Sequence, residues 1–149
     1  MPHSLIIGYG NTIRSDDGAG YKAALALQSE LSSPECAIIA AHQLTPEMAE
    51  TVAAASHVLF LDAAHVGNPG EIRCQGILRD PHFQPGALTH DLTPSSLLEL
   101  ALRYFQAQPE ASLLTLTGAN FELGEEFSSP VTQAWPHYLA RIRAWAQGS

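Results

Sequence analysis

Two carboxylates stand side by side near the start of this chain, Asp16 and Asp17, in the stretch Ser4-Leu-Ile-Ile-Gly-Tyr-Gly-Asn-Thr-Ile-Arg-Ser-Asp-Asp-Gly-Ala-Gly20. Leu5 to Ile7 reads as a buried strand, Gly8 and Gly10 break it, and the Ala/Leu-rich segment after Gly20 reads as a helix. A loop between strand and helix in an open α/β sheet lies at the carboxyl edge of the strands, where ligands bind. Acids at that place suit a cation site or acid/base chemistry and oppose a phosphate cradle. Asp62 closes a second apolar run, His57-Val-Leu-Phe-Leu-Asp62, and His90 stands in Leu88-Thr-His-Asp-Leu-Thr-Pro94, just ahead of a helix. If the first and third strands are parallel neighbours, Asp17 and Asp62 share one edge and His90 can reach over them. Two carboxylates and an imidazole are suitable ligands for a borderline divalent metal such as zinc or nickel. Such a set leaves positions open for water and substrate.

Each of these residues also has a plainer reading. Asp16 or Asp17 could cap the following helix, because acids favour helix N-termini. Asp62 could be a turn residue bonded to its own backbone. His90 could be a loop or capping histidine, in which case His42, His57 or His65 would be the candidates to replace it. His57 opens an apolar strand and reads as structural, whereas His42 and Gln43 end the second strand and can line the same edge as Asp17. Asn11 is expected to hold the first loop through side-chain bonds to backbone. Gly8, Gly10, Gly18 and Gly20 serve backbone geometry. His3, His82 and His137 have no supporting context.

The elements that must position these groups alternate. Strands are expected at Ser4–Gly8, Cys36–Ala41, His57–Asp62 and Ser112–Thr117, with a strand that doubles back between Glu71 and Ile77 after the Asn68-Pro-Gly70 turn. Helices are expected at Tyr21–Leu31, from Thr45 to about Ala54, from Thr93 to near Gln106, and at Val131–Ala146. Thr45 and Thr93 have the form of N-caps, each followed by a proline suited to the first helical position. Pro136 is expected in the first turns of the last helix, where it is tolerated. Alternating strands and helices imply a mostly parallel sheet covered on both faces, with an antiparallel edge from the 71–77 segment.

The 149 residues fit one domain, 1–149, and 46% hydrophobic content fills a core. With only 7 Lys+Arg and a formal charge of −8, the chain has no electrostatic footprint for nucleic acid or for an anionic membrane. No apolar stretch approaches the roughly 18–20 residues of a membrane span. The start, Met1-Pro-His-Ser, lacks the features of a signal peptide, so the expected location is the cytoplasm. Cys36 and Cys74 are then expected as free, buried thiols. No GxSxG elbow, GxxxxGK[ST] loop, HExxH or CxxC is present. Gly8-Tyr-Gly10 matches only the first half of a dinucleotide fingerprint, since position 13 is Ile.

Taken together, Gly8-x-Gly10-Asn11, Asp16-Asp17-Gly18-x-Gly20, Asp62 at a strand end and Thr89-His90-x-Leu92-x-Pro94 resemble the hydrogenase maturation endopeptidases. The resemblance runs over nearly the whole chain, through Thr117-Gly118 and the acidic loop from Glu122 to Pro130. His42-Gln43-Leu44-Thr45-Pro46-Glu47 looks like the branch that serves bidirectional, NAD(P)-linked [NiFe] hydrogenases. The resemblance implies a three-layer α/β/α sandwich with a mostly parallel, partly mixed sheet of about five strands. It also implies an endopeptidase that removes the C-terminal extension of the nickel-loaded large-subunit precursor, with nickel held by the substrate as the recognition signal.

By motif, the family's metal-binding acid, acid and histidine fall on Asp17, Asp62 and His90. No cofactor is then permanently bound, although other divalent metals can occupy the site, and the protein is a monomer or weak oligomer. The first-loop acid of the family is often Glu, so Asp17 is one methylene shorter. Many relatives carry Asp-Gly-Gly-Thr after the second strand, where this chain has Ala41-His42-Gln43-Leu44-Thr45, so His42 and Gln43 are candidates to face the substrate. Three rival readings remain: a non-catalytic checkpoint or chaperone for the same precursor, a Rossmann-like nucleotide binder, and a metallopeptidase with its own zinc.

Overall fold

The computed structural model describes residues 3–86 and 92–148. The chain runs β1 (Ser4–Tyr9), α1 (Ala19–Leu31), β2 (Cys36–Ala41), α2 (Met48–Ala54), β3 (His57–Ala64), β4 (Ile72–Gly76), α3 (Pro94–Phe105), β5 (Glu110–Thr117) and α4 (Ser129–Ala146), with a 3-10 turn at Ser15–Gly18 leading into α1. The five strands form one sheet in the order β2-β1-β3-β5-β4. β1 pairs in parallel with both β2 and β3, β3 pairs in parallel with β5, and β4 runs antiparallel to β5 at the edge. This is the expected mixed, mostly parallel sheet, and β1 and β3 are neighbours as the convergence of Asp17 and Asp62 requires.

Strand periodicity divides the core into two layers. Ile6, Leu59, Leu61, Leu114 and Leu116 face α1 and α4, where they meet Ala23, Leu27, Val131, Tyr138 and Ile142. Leu5, Ile7, Val58 and Phe60 face the opposite way and meet Val52 of α2 and Leu97 and Ala101 of α3. Because both faces are covered, β1 and β3 read as continuous apolar runs rather than alternating ones. Helix α1 presses on the sheet through Gly20. A Cβ built there would stand 2.2 Å from the Leu61 carbonyl oxygen and 2.7 Å from that of Tyr9. That close approach sets the depth at which the Asp16-Asp17 turn sits above the strand ends.

Several element boundaries differ from the sequence expectation. β3 continues through Ala64, so Asp62 lies inside the strand rather than closing it. α2 begins at Met48 and Thr45 does not cap it; the Thr45 and Pro46 carbonyls instead accept from the Met48 and Ala49 amides in a tight turn. Thr93 does cap α3, accepting from the Ser96 amide. α4 starts at Ser129 with Pro130 in its first turn, so Pro136 lies in the helix interior, where it lacks the amide that would donate to the carbonyl of Thr132. Cys36 is buried, but Cys74 is exposed, because β4 is an edge strand with little cover.

The segment between β5 and α4 has no helix or strand of its own, yet it is firmly held. Asp16, with 0% exposure, accepts from the amides of Ala119 (2.8 Å), Asn120 (3.0 Å) and Ser128 (2.8 Å) and from the Ser128 hydroxyl (2.7 Å). Ser15 adds its amide to the Gly124 carbonyl and its hydroxyl to the Glu122 carbonyl. Asp16 therefore does not cap α1, whose N-cap is Gly18 with no side-chain bond. Burial pushes the Asp16 carboxyl upward, but the hydrogen bonds from Ser128, Ala119 and Asn120 outweigh it and hold the group below its ordinary value of 3.8.

Two stability outcomes follow from these contacts. Gly20→Ala is expected to lower the melting temperature by about 2–10 °C, since overpacking costs roughly 1–3 kcal/mol and the opposing atoms are backbone; an unchanged melting curve would contradict the close packing. Asp16→Ala leaves buried amide donors without an acceptor and is expected to cost at least about 3 kcal/mol at pH 7. Because the folded-state pKa of Asp16 is depressed, its contribution is full above the ordinary 3.8 and is lost as pH falls through the folded-state value. Urea unfolding of both proteins should therefore show the gap narrowing only below about pH 4.

Candidate active site

Asp17 and Asp62 reach the same edge of the sheet by different routes. Asp17 stands in the 3-10 turn after β1, and its Oδ2 accepts from the Asn11 amide at 2.9 Å. Its Oδ1 lies 3.1 Å from Nε2 of His65, which donates to it when that nitrogen carries the proton. The turn itself is shaped at both ends. Asn11 Oδ1 accepts from the Ile13 amide at 3.1 Å, the expected backbone tie. Gly10 sits at φ +154°, and a Cβ there would lie 2.0 Å from the Asp17 carbonyl oxygen, so only glycine fits.

Asp62 points to the α2/α3 face of β3, the face shared by Val58 and Phe60. Its Oδ1 accepts from the next amide, Ala63, at 2.7 Å, and the Tyr9 hydroxyl donates to the carboxylate. The last β1–β3 pair is Gly8 with Leu61, which sets Tyr9 opposite Asp62 one step further on. Burial is the main force on the Asp62 carboxyl and pushes it up to about 6. The Asp17 charge adds to the rise, while the Tyr9 hydroxyl, the Ala63 amide and His65 oppose it. The Tyr9 phenol is pushed far above its usual range, first by burial and then by the Asp62 charge, so it stays a proton donor. A carboxyl that titrates near neutrality is suited to taking up and returning a proton.

His65 follows β3 directly and lies flat on Phe121, with ring centroids 3.8 Å apart and planes 15° from parallel. Asn11, Arg14, Asp17, His65 and Phe121 line an open cleft of about 360 Å³. A larger groove, about 770 Å³, lies at the amino end of β5 among Ile77, Leu78, Leu98 and Pro109. Its arginine, Arg79, is already bound to Glu99.

The remaining expected site residues fall as follows. His42 and Gln43 are exposed just past β2 on the same sheet edge, and the His42 ring stacks on Tyr21 at 4.9 Å. They form no hydrogen bond with Asp17 or Asp62 among the described residues. Gly18 opens α1 behind the turn. His90 lies outside the described residues, as does the rest of 87–91. Among the described residues no three His, Cys, Asp or Glu side chains are grouped so as to hold a metal. Asp17 and His65 face the cleft, and Asp62 lies near enough for the Asp17 charge to act on its carboxyl. A carboxylate and an imidazole suit a divalent cation that brings further ligands of its own.

Tyr9 and Phe121 belong to the site but were not anticipated. Tyr9 had a signal: residues 5, 7 and 9 share a strand face, as do 58, 60 and 62, and parallel pairing brings the ends of those rows together. Phe121 had none, since it follows β5 in a segment without periodicity.

The raised carboxyl of Asp62 has a cost. With its folded-state value near 6 and its ordinary value at 3.8, the ionised group lowers stability above about pH 6, and the penalty fades as pH falls toward 3.8. Asp62→Asn is therefore expected to unfold later than wild type at pH 8, by about 1–2 kcal/mol after solvent screening, or roughly 2–8 °C. Calorimetry from pH 8 to pH 4 should show that advantage shrinking; a variant less stable at pH 8 would contradict the assigned environment.

No protein-family model matches the chain, and no curated protein matches it in sequence. Solved structures do match in fold. The [NiFe] hydrogenase maturation protease HycI from Thermococcus kodakarensis KOD1 superposes with a TM-score of 0.76 at 23% identity, over 98% of this chain and 93% of that one. The hydrogenase maturating endopeptidase HybD from E. coli gives 0.78 at 20% identity, over 97% and 91%. The [NiFe] hydrogenase maturation protease HybD from Thermococcus kodakarensis gives 0.72 at 19%, over 99% and 100%. The likeness covers nearly the whole length of each partner, and this chain shares their three-layer α/β/α fold.

Proposed function

We propose that this protein is a processing endopeptidase that removes the C-terminal extension of a [NiFe] hydrogenase large-subunit precursor in the cytoplasm, and that it reads nickel already held by that precursor. One observation supports the reading: Asp17 and Asp62 stand at the carboxyl edge of β1 and β3, near enough for the Asp17 charge to raise the Asp62 carboxyl, in a fold shared end to end with maturation proteases. In this reading nickel arrives with the substrate, bound by the precursor's cysteines, and docks against Asp17, Asp62 and His90. An immature precursor lacking nickel offers no cation to the paired carboxylates, whose mutual repulsion then opposes docking. The precursor of a bidirectional, NAD(P)-linked hydrogenase is the first substrate to try, on the strength of the 42–47 segment.

The catalytic work of the chain's own residues is proton handling and orientation. A carboxylate that accepts a proton from the attacking water contributes about 10²–10⁴-fold. Asp62 has the environment for that role, because burial brings its pKa near the working pH. Tyr9 holds it from one side, and the Ala63 amide fixes one oxygen. Asp17, pinned by Asn11 and His65, presents the second carboxylate at a set angle.

Intact mass of the precursor after incubation tests the proposal. Nickel-loaded precursor should lose its C-terminal tail with wild-type protein, nickel-free precursor should keep it, and Asp17→Asn should slow the loss by at least about 100-fold. Tight binding of the loaded precursor with no change of mass would instead favour the non-catalytic checkpoint.

A further inference from the structure

The cleft contains one strong cation that the proton-handling scheme does not use. Arg14 lines it together with Asp17 and His65, and its residue is exposed. The other basic side chains of the protein are largely engaged. Arg73 pairs with Glu71, Arg79 and Arg103 share Glu99, and Arg143 pairs with Glu30. Lys22 donates to the Glu125 carbonyl and lies 4.6 Å from the centre of the Phe127 ring. Among the described residues only Arg14 and Arg141 have a cationic group with no ion pair, hydrogen bond or ring contact, and Arg141 is exposed on α4 and does not line the cleft.

The absence of a pair at Arg14 is not for want of an acid, because Asp17 shares the cleft. Each Asp17 oxygen is turned to another partner, one to the Asn11 amide and the other to His65, and the carboxylate so oriented makes no ion pair with Arg14. Meanwhile the Arg14 backbone is fixed: its amide donates to the Asn11 carbonyl, its carbonyl accepts from the Asp17 amide, and it forms a β-bridge with Gly124. A fixed root and a guanidinium without a partner among the described residues, in an open cleft, make a donor available to a ligand oxygen.

We propose, resting on the peptidase reading above, that Arg14 is a catalytic residue that binds the scissile carbonyl oxygen and holds it as charge develops. The step balances as follows. The water oxygen forms a bond to the carbonyl carbon, a water proton passes to a cleft carboxylate, and the C=O π pair moves onto the oxygen that Arg14 holds. When that pair returns, the C–N bond breaks and the proton goes on to the leaving amine, giving a shortened chain with a new carboxylate and a free tail. A preorganised donor acts on the charge that appears only in the transition state, so its removal lowers kcat rather than raising KM.

The test is steady-state cleavage of nickel-loaded precursor by wild type, Arg14→Gln, Arg14→Lys and Arg14→Ala. Arg14→Gln should lower kcat by about 10²-fold with KM within about threefold, as for loss of an oxyanion donor. Arg14→Lys should recover part of the rate, and millimolar guanidinium should restore part of the rate of Arg14→Ala but leave wild type unchanged. All three should melt close to wild type, because the exposed side chain has no partner among the described residues. A raised KM at unchanged kcat would overturn the proposal by making Arg14 a docking charge, and unchanged kinetics would overturn it outright. Wild-type protein that leaves the loaded precursor uncut would overturn the peptidase reading itself, and this proposal with it.

Discussion

The buried carboxylate of Asp16 is the constraint on which the geometry of the cleft depends. An ion with no cation beside it is costly inside a protein unless donors surround it. Here the donors are the Ala119, Asn120 and Ser128 amides and the Ser128 hydroxyl, all from the segment between β5 and α4. That segment has no ladder of its own, so the carboxylate serves as its template. The tie reaches further. The Asp16 amide donates to the Asn120 carbonyl, Gly124 bridges to Arg14, and Phe121 is brought under His65. His65 in turn holds Asp17. Strain is part of this arrangement: Ser15 is held at φ +54°, a left-handed conformation that costs a non-glycine residue about 1–2 kcal/mol. Its amide and hydroxyl bonds to Gly124 and Glu122 offset that cost.

Asp16 and Asp17 are adjacent yet have opposite fates, and the 3-10 turn explains why. With three residues per turn, neighbouring side chains point about 120° apart. One is driven into the interior, where amides satisfy it, and the other is left at the mouth of the cleft. Asp62 supplies the contrast: it is also largely buried, but it has few donors, so its carboxyl rises where that of Asp16 falls. Three carboxylates near one sheet edge thus differ in state: Asp16 is satisfied by donors and lowered, Asp17 is tied to an amide and an imidazole, and Asp62 is raised by burial. The difference follows from how many N–H groups face each one.

Much of this was legible in the sequence. The apolar runs at Leu5–Ile7 and Val58–Leu61 are long enough and bounded clearly enough to read as buried parallel strands, and the two strands are neighbours, so Asp17 and Asp62 stand at the same sheet edge. The Asn68-Pro-Gly70 turn announced the antiparallel edge strand. What was not legible depended on tertiary contacts. Thr45 has the form of a cap, but the chain closes a tight turn there and starts α2 at Met48. Asp16 has the form of a helix cap, but its donors are more than a hundred residues away, where no local pattern can show them. Cys74 lies in an apolar-looking run that proves to be an uncovered edge strand. His65 was only one of several substitutes for His90, and its place beside Asp17 depends on Phe121, which carries no periodic signal.

The same spacing of donors bears on why the cleft is left electrostatically unresolved. In most of the molecule opposite charges find each other: Glu99, buried on α3, takes two arginines, and Arg143 crosses to Glu30 on α1. In the cleft they do not. Among the described residues, Asp17 bonds to an amide and an imidazole, Asp62 nearby bonds to a phenol and its own neighbour, and the Arg14 side chain makes no bond. Each group is fixed at its root by backbone bonds from the 10–17 loop or by the sheet, so none can swing to relieve another. Preorganisation of this kind lowers stability in the free protein, as the raised carboxyl of Asp62 records. The compensation lies in the two packed layers beneath, where Leu61 and Gly20 meet at backbone contact and hold the strand ends rigid. Asp17 and Arg14 stand on one loop without cancelling each other, because backbone bonds fix the root of Arg14 while the Asn11 amide and His65 orient the carboxylate of Asp17.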